Sequence, residues 1–149
     1  MKIFVAADHR GFRLREKIMV YLFEKKLDFV DVGDKKFDPK DDFNKYAKLA
    51  VLELLSSNNR DARAILVCGG GQGMAIQANR YRGVRAVVVW DSTEAEMARN
   101  DNDANVLCLP ARVLEDDDAK WKDIIDTFLL TPFAKAPRYI KRNNELDEV

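Results

Sequence analysis

The feature that most constrains this chain is a regular alternation of short apolar runs with longer segments of helical spacing. The apolar runs predict five strands, at residues 2–7, 27–32, 64–68, 84–90 and 105–109. Several of these runs are apolar at consecutive positions, which is typical of strands buried on both faces. Strands that alternate with helices join in parallel through right-handed crossovers, with helices on both faces of the sheet. We therefore predict a three-layer, doubly wound α/β fold.

The segments between the predicted strands carry apolar residues three and four positions apart, as the buried face of a helix does. The two clearest stripes are formed by Leu14, Ile18, Tyr21 and Leu22, and by Tyr46, Leu49, Ala50 and Leu54. After the last strand, residues 118–130 and a segment from about Ala134 predict two further helices. A length of 149 residues suits one domain around one core, so we expect a single domain over residues 1–149.

The charge balance and the cysteine usage exclude several classes of protein. Lys plus Arg and Asp plus Glu both number 25, so the chain lacks the positive field that favours nucleic acid or anionic membranes. No apolar stretch approaches the roughly 20 residues that span a bilayer, and the first strand is too short for a signal peptide. The two cysteines form neither a disulfide framework nor a zinc pattern. We expect a cytoplasmic protein without nucleic-acid or membrane partners and without a metal site.

Ligands of doubly wound sheets bind beyond the carboxyl ends of the strands, so the residues after each strand are the ones that matter. The most distinctive is the run from Cys68 to Gly73 (CGGGQG), which leads from a strand into a helical pattern. Glycines let the backbone expose consecutive N–H groups, and a helix N-terminus adds partial positive charge. This loop predicts a seat for a phosphate or for an oxyanion that forms during a reaction. Met74 breaks both the P-loop pattern and the dinucleotide fingerprint.

The cysteine that opens this loop has two readings. A thiol beside a helix N-terminus favours the thiolate, which can act as a general base or a nucleophile. A cysteine that ends a buried strand can equally be a small apolar residue of the core. Both readings stay open for Cys68, whereas Cys108 lies inside a strand without a following glycine loop and is expected to be structural.

Further polar residues follow the first and last strands. Asp8 and His9 come directly after the first strand, and either they contact a substrate or Asp8 caps the next helix. Arg112 follows the last strand, and Arg138 and Arg142 share one face of a helix. Arginine binds two phosphate oxygens at once, although such a pair can also be a solvated face. Together with the glycine loop, these residues predict a small phosphorylated substrate and proton abstraction next to a carbonyl group.

Ordered motifs over nearly the whole chain resemble the type B ribose-5-phosphate isomerases and the related galactose-6-phosphate isomerase subunits. The matching segments are Asp8-His9-Arg10-Gly11-Phe12, Asp31-Val32-Gly33, Cys68 to Gly73, Asn102 to Leu107, Thr131-Pro132-Phe133, and Arg138 with Arg142. The resemblance implies a Rossmann-like fold with a five-stranded parallel sheet. It also implies a homodimer or tetramer with its active site at the subunit interface and the C-terminal helix against the partner.

The same resemblance implies an aldose–ketose isomerase that works through a cis-enediolate without any metal or organic cofactor. Its substrate would be ribose 5-phosphate, ribulose 5-phosphate or a close analogue, and Cys68 would be the base. It implies that Asp8 and His9 contact the substrate hydroxyls and the phosphate end, and that Arg112, Arg138 and Arg142 hold the phosphate. The other residues that it implies around the substrate are Phe43, Gly69, Gly70, Gly71, Gln72, Gly73 and Asn102.

Four positions depart from the family pattern. Asp101 stands where the family has a histidine thought to open the sugar ring, and it is the expected catalytic group at that position. Gly70 replaces a Thr or Ser, Phe43 replaces a Tyr, and Tyr139 replaces a His. The alternative is therefore a phosphosugar-binding relative that is not catalytic or has altered specificity. A flavodoxin-like nucleotide or flavin domain is a third hypothesis, which the failed fingerprints disfavour.

Overall fold

Within residues 1–148, which are those that the computed structural model describes, five parallel strands form one sheet in the order β2-β1-β3-β5-β4. The strands are β1 Lys2–Ala7, β2 Phe29–Asp31, β3 Ala62–Cys68, β4 Ala86–Val88 and β5 Val106–Pro110. The helices are α1 Phe12–Glu24, α2 Phe43–Ser56, α3 Gln72–Ala78, α4 Ser92–Asn102, α5 Ala111–Leu114, α6 Asp118–Leu130 and α7 Pro137–Glu145. The predicted three-layer α/β fold with a five-stranded parallel sheet is confirmed.

The order of the strands locates the binding edge of the sheet. The chain leaves β1 for β2 on one side and returns to β3 on the other side of β1. β1 and β3 pair in register over six positions, from Lys2 with Ala62 to Ala7 with Val67. Their connections therefore diverge at their carboxyl ends, and such a divergence leaves a crevice at that edge.

Alternating strand residues build a core on each face of the sheet. On one face, Val5 and Ile65 pack with α1, α4 and α6, whose Trp121 and Phe128 are fully buried. On the other face, Leu66 and Cys68 pack with α2 and α3. Side chains along a strand point alternately to the two faces of the sheet, so neighbouring residues of β3 belong to different cores. Both cores are apolar, and β3 therefore needs apolar residues at consecutive positions.

The two edge strands are shorter than the sequence indicates. Residues 27–32 and 84–90 were predicted as strands, but only Phe29–Asp31 and Ala86–Val88 are paired. Each edge strand has one neighbour, so pairing stops where that neighbour diverges. The inner strands β1, β3 and β5 lie within two residues of their predicted bounds.

The helical stripes are largely as predicted. The stripe of α1 is buried as expected, and α6 has the predicted bounds. In α2 the prediction for Leu49 is wrong: its side chain is 41% exposed, and Val51 is buried instead. The last helix begins at Pro137 rather than near Ala134, because proline suits the first turn of a helix. No helix within residues 1–148 is long and apolar enough to cross a membrane.

Replacing a core aromatic residue tests the packing of α6 against the sheet. Phe128→Ala removes a fully buried ring, so we expect the free energy of unfolding to fall by about 3–5 kcal/mol. Phe23→Ala is the matched control because its ring, on the outer side of α1, is 76% exposed. Urea unfolding should show a change of about 0.5 kcal/mol or less for the control. Equal losses in the two variants would contradict the assigned packing.

Candidate active site

The glycine loop turns sharply where β3 ends. The turn brings a backbone N–H group within hydrogen-bond distance of the Cys68 sulfur. Gly71 has φ 77°, in the left-handed region, and directly precedes α3. Its N–H donates to the Cys68 Sγ at 3.1 Å. This contact holds the sulfur against the turn that leads into α3. The structure thus places Cys68 on the glycine loop, at the carboxyl end of β3.

The second cysteine has the opposite environment. Cys108 is completely buried in β5, and burial, together with the nearby Cys68, raises the pKa of its thiol. A thiol in such surroundings stays protonated and packs as a small apolar side chain. Cys68 and Cys108 thus differ in their surroundings, since only the sulfur of Cys68 lies at the glycine loop.

The loop after β1 lies directly against the end of β3. The Asp8 N–H donates to the Val67 carbonyl oxygen at 3.2 Å, next to Cys68. The Asp8 Oδ1 accepts from the backbone N–H groups of Arg10 and Gly11, at 2.9 and 3.0 Å. Burial raises the pKa of Asp8, and these hydrogen bonds and His9 oppose that shift. Asp8 thus shapes the loop before α1, and Gly11 rather than Asp8 is the N-cap.

The side chain of His9 is paired with a carboxylate that the sequence did not single out. The Asp41 Oδ1 accepts from the His9 backbone N–H at 2.9 Å and lies 2.6 Å from the His9 Nδ1. The two residues are 32 positions apart, and Asp41 belongs to the polar loop after β2, whose composition alone favours a solvated connection. The contact between His9 and Asp41 forms only when the chain folds and the loops after β1 and β2 come together.

Phe43 covers the start of α3. A Cβ at Gly73 would lie 2.9 Å from the Phe43 ring, so this ring packs directly on the glycine backbone. One turn further along α2, the Tyr46 hydroxyl donates to the Asp34 Oδ2 at 2.5 Å. Burial, this hydrogen bond and the charge of Asp41 raise the pKa of Tyr46. The structure thus places the expected Phe43 at the glycine loop.

The short helix α5, directly after the last strand, brings an arginine to the same loop. The Arg112 N–H donates to the Gly69 carbonyl oxygen at 3.1 Å, and its guanidinium lies against the Gly69 Cα. The Gln72 amide occupies the space that a side chain at position 70 would fill. A cavity of about 450 Å³ adjoins this side of the loop, and its lining is Gly69, Gly70, Gln72, Val88, Trp90, Pro110, Arg112 and Val113.

The other predicted residues lie at the opposite edge of the sheet. α4 runs from the carboxyl end of β4 to the amino end of β5, so Asp101 and Asn102 lie at the amino ends of the strands. Asp101 accepts from the Asn100 side chain at 2.7 Å. Over the seven residues of β3, at about 3.3 Å each, the two edges are roughly 20 Å apart.

The C-terminal helix lies at that same edge. The Ala134 N–H donates to the Asn100 carbonyl oxygen at 3.1 Å, just before α7. The Tyr139 hydroxyl and, more weakly, Asp101 raise the pKa of Arg138. Asp101, Asn102, Arg138 and Arg142 therefore do not meet Cys68 within one chain. Among residues 1–148, no group of three or more His, Cys, Asp or Glu side chains is arranged to hold a metal ion.

Comparison with known proteins connects this arrangement to one family. Residues 3–146 match the Ribose/Galactose Isomerase family. A probable ribose-5-phosphate isomerase B of Mycoplasma pneumoniae is 38% identical over 94% of this chain and 89% of its own length. A ribose-5-P isomerase B of Listeria innocua is 37% identical over 90% of this chain and 87% of its own length.

Solved structures show the same likeness in three dimensions. A ribose 5-phosphate isomerase from Thermotoga maritima superposes with a TM-score of 0.92 at 40% identity, over 99% of this chain and 98% of its own. The Mycoplasma genitalium ribose-5-phosphate isomerase B, solved with bound ribulose-5-phosphate, superposes with a TM-score of 0.88 at 34% identity. That match covers 97% of this chain and 93% of the other.

A double-mutant cycle tests the contact between Phe43 and Gly73. In the native background, Gly73→Ala places its methyl group against the ring and should cost about 1–3 kcal/mol of unfolding free energy. In a Phe43→Ala background the same change should stabilise by about 0.5–1 kcal/mol, because alanine is the better helix former. Chemical unfolding of the four proteins gives both values. An identical effect in both backgrounds would refute the contact.

Proposed function

The chain belongs to the ribose/galactose isomerase family and is an isomerase, and we propose that it interconverts ribose 5-phosphate and ribulose 5-phosphate or a close analogue. The observation that carries the proposal is the Cys68 thiol under the Gly71 N–H, at the carboxyl edge of the sheet. An aldose and its ketose differ by the position of one proton on carbon and one on oxygen. A positioned base next to an oxyanion seat is the machinery that such a reaction needs.

In the proposed reaction, the Cys68 thiolate takes the proton from C2 of the open-chain aldose. The C–H electron pair forms the C1–C2 double bond, and the carbonyl oxygen becomes an enediolate oxygen. The first N–H groups of α3 have no partner within the helix and are available to this oxygen. The hydroxyl proton of the C2 oxygen moves to the C1 oxygen, the C2 carbonyl forms, and the electron pair of the C1–C2 double bond takes the proton back from the Cys68 thiol at C1, which completes the ketose. The reverse reaction follows the same steps.

The phosphorylated substrate is supported by charge and by likeness. Arg112 lies against the glycine loop, and its guanidinium group can donate hydrogen bonds to two phosphate oxygens at once. The related Mycoplasma genitalium structure holds ribulose-5-phosphate, which has the same class of anion. Asp8 and His9 then contact the substrate hydroxyls and the phosphate end, and Phe43 packs on the sugar carbons.

The separation of the predicted residues supports a site shared between two chains. Asp101, Asn102, Arg138 and Arg142 lie at the edge of the sheet opposite Cys68, so a second copy has to supply them. In a two-fold symmetric dimer each chain would complete the other's site. Exposed apolar side chains on α2 and α3 are available for such a contact: Leu49, Leu52, Leu55 and Ile76. We therefore propose a homodimer, or a tetramer built from it, with α7 against the partner.

Replacing the proposed base separates it from the other thiol. Cys68→Ala should lower turnover of ribose 5-phosphate by about 10²–10⁴-fold, because proton abstraction loses its base. Cys108→Ala is the matched control and should keep turnover, since that thiol is buried and protonated. In deuterated water, the native product should carry deuterium at the transferred carbon. Full turnover in Cys68→Ala would refute the base, and sugar binding without turnover in the native protein would indicate the non-catalytic alternative.

Mixing two inactive variants tests the shared site. Cys68→Ala and Arg138→Ala alter opposite edges of the sheet, so a mixed dimer holds one intact site. Co-refolding them in equal amounts should restore roughly a quarter of native activity, because half of the dimers are mixed and each has one of two sites. Cys68→Ala mixed with Asp8→Ala is the control, since both changes lie at one edge and no mixed dimer has an intact site. Inactivity in both mixtures would place each site within one chain.

A further inference from the structure

The last helix lies on its own chain without packing into a core. None of the nine residues of α7, all within the described part of the chain, is buried. Beneath the helix is a cavity of about 460 Å³. The Asn143 Nδ2 on that side is buried and has no hydrogen-bond partner among residues 1–148. Side-chain packing therefore contributes little to holding α7, and the contacts at its two ends matter more.

The two faces of α7 carry different residues. An α-helix turns by about 100° per residue, so Arg138 and Arg142 lie roughly 40° apart and point the same way. The residues of α7 that line the cavity are Ile140, Asn143 and Asn144, on the opposite side of the helix. Both arginines are exposed. The attachment of α7 to its own chain thus directs the two arginines outward, toward the side on which the proposed dimer places its second chain.

The segment after α7 is bound to the turn before β4. The Gly83 N–H donates to the Asp147 Oδ2 at 2.9 Å. The Arg82 Nε donates to the Asp147 carbonyl oxygen at 3.0 Å, and the Arg82 Nη2 donates to the same oxygen. Asp147 therefore binds this turn through both its side chain and its backbone. At the other end of α7, the contact of Ala134 with Asn100 already fixes where the helix begins.

The turn that receives Asp147 is itself held by the neighbouring strands. Gly83 has φ 82°, in the left-handed region, and its carbonyl oxygen accepts from the Asn105 side chain at 2.9 Å. The Asn105 Oδ1 accepts from the Arg85 N–H at 2.9 Å. The Asn79 side chain bonds both backbone groups of Ala86, at 2.8 and 2.9 Å. Asp147 thus binds a turn that is fixed to the sheet.

We propose that Asp147 is a positioning residue that anchors α7 to its own chain and holds Arg138 and Arg142 ready for the phosphate in the partner's site. Ordering a loose segment costs free energy on binding, and a contact that orders the segment beforehand removes that cost. The inference rests on the proposed function, in which these arginines hold the phosphate, and it adds a residue that acts through them.

The first arm of the test measures the order of α7 without reference to activity. Hydrogen exchange of the backbone amides of residues 141–145, followed by NMR, should be about 3–10-fold faster in Asp147→Ala, because the helix loses a contact at its end. Asp147→Asn keeps an oxygen that accepts from the Gly83 N–H and should exchange as the native protein does. Glu148→Ala is the matched control, since it removes the same charge from the next, exposed side chain. Equal exchange in Asp147→Ala and Glu148→Ala would overturn the anchoring.

The second arm determines whether the anchor acts on the phosphate. Asp147→Ala should raise the KM for ribose 5-phosphate about 3–10-fold and leave kcat within about twofold, because binding lost equally from the ground and transition states appears in KM. The inhibition constant of inorganic phosphate should rise by a similar factor. Arg82→Ala should reproduce both effects, and Arg80→Ala, at an exposed position nearby, is its control. A fall in kcat at constant KM, or a constant inhibition constant, would contradict the positioning role.

The two proposals fail in different ways. No isomerase activity in the native protein refutes the proposed function, while hydrogen exchange still decides whether Asp147 anchors α7. Native activity together with a native KM in Asp147→Ala overturns the inference and leaves the isomerase assignment intact. Loss of the fold in Asp147→Ala also counts against it, because a contact beyond the end of α7 belongs to neither core.

Discussion

The pairing of β1 with β3 is the interaction on which the rest of the site depends. Six registered positions bring the two strands to a common end, so the loop after β1 and the glycine loop after β3 start side by side. Asp8 then reaches the Val67 carbonyl oxygen, and Gly11 packs so closely on that carbonyl that a side chain would overlap it. Because both strands are buried in the two cores, the geometry of these loops is set by the stability of the whole sheet.

Local environment rather than residue type distinguishes the groups proposed to react from those that only pack. Two cysteines lie on neighbouring strands and face the same core, yet only Cys68 has a backbone N–H on its sulfur. Burial instead raises the pKa of the Cys108 thiol. The same reasoning separates Asp41, which is buried against His9, from Asp42, which is exposed at the start of α2.

Local patterns predicted the features that depend on local chemistry. The glycine loop and the inner strands follow from glycine freedom and apolar runs, which need no knowledge of distant residues. The lengths of the edge strands were overestimated because the end of each one depends on its single neighbour. Leu49 was wrongly predicted to be buried because spacing alone does not fix which adjacent position of a helix faces the core. Asp41 was missed since a contact across 32 residues leaves no local signal. The edge occupied by Asp101 follows only from the direction of α4.

The Gln72 amide has a consequence for how this loop can change. It occupies the space of a side chain at position 70, so residues 70 and 72 compete for one site beside the cysteine. A hydroxyl residue at position 70 would require the flexible Gln72 side chain to swing away, a small adjustment compared with moving backbone. The two positions are therefore coupled, and the polar group in this corner can be supplied from either one. Exchanging the polar group between them would change what lies beside Cys68 while leaving the turn at Gly71 in place.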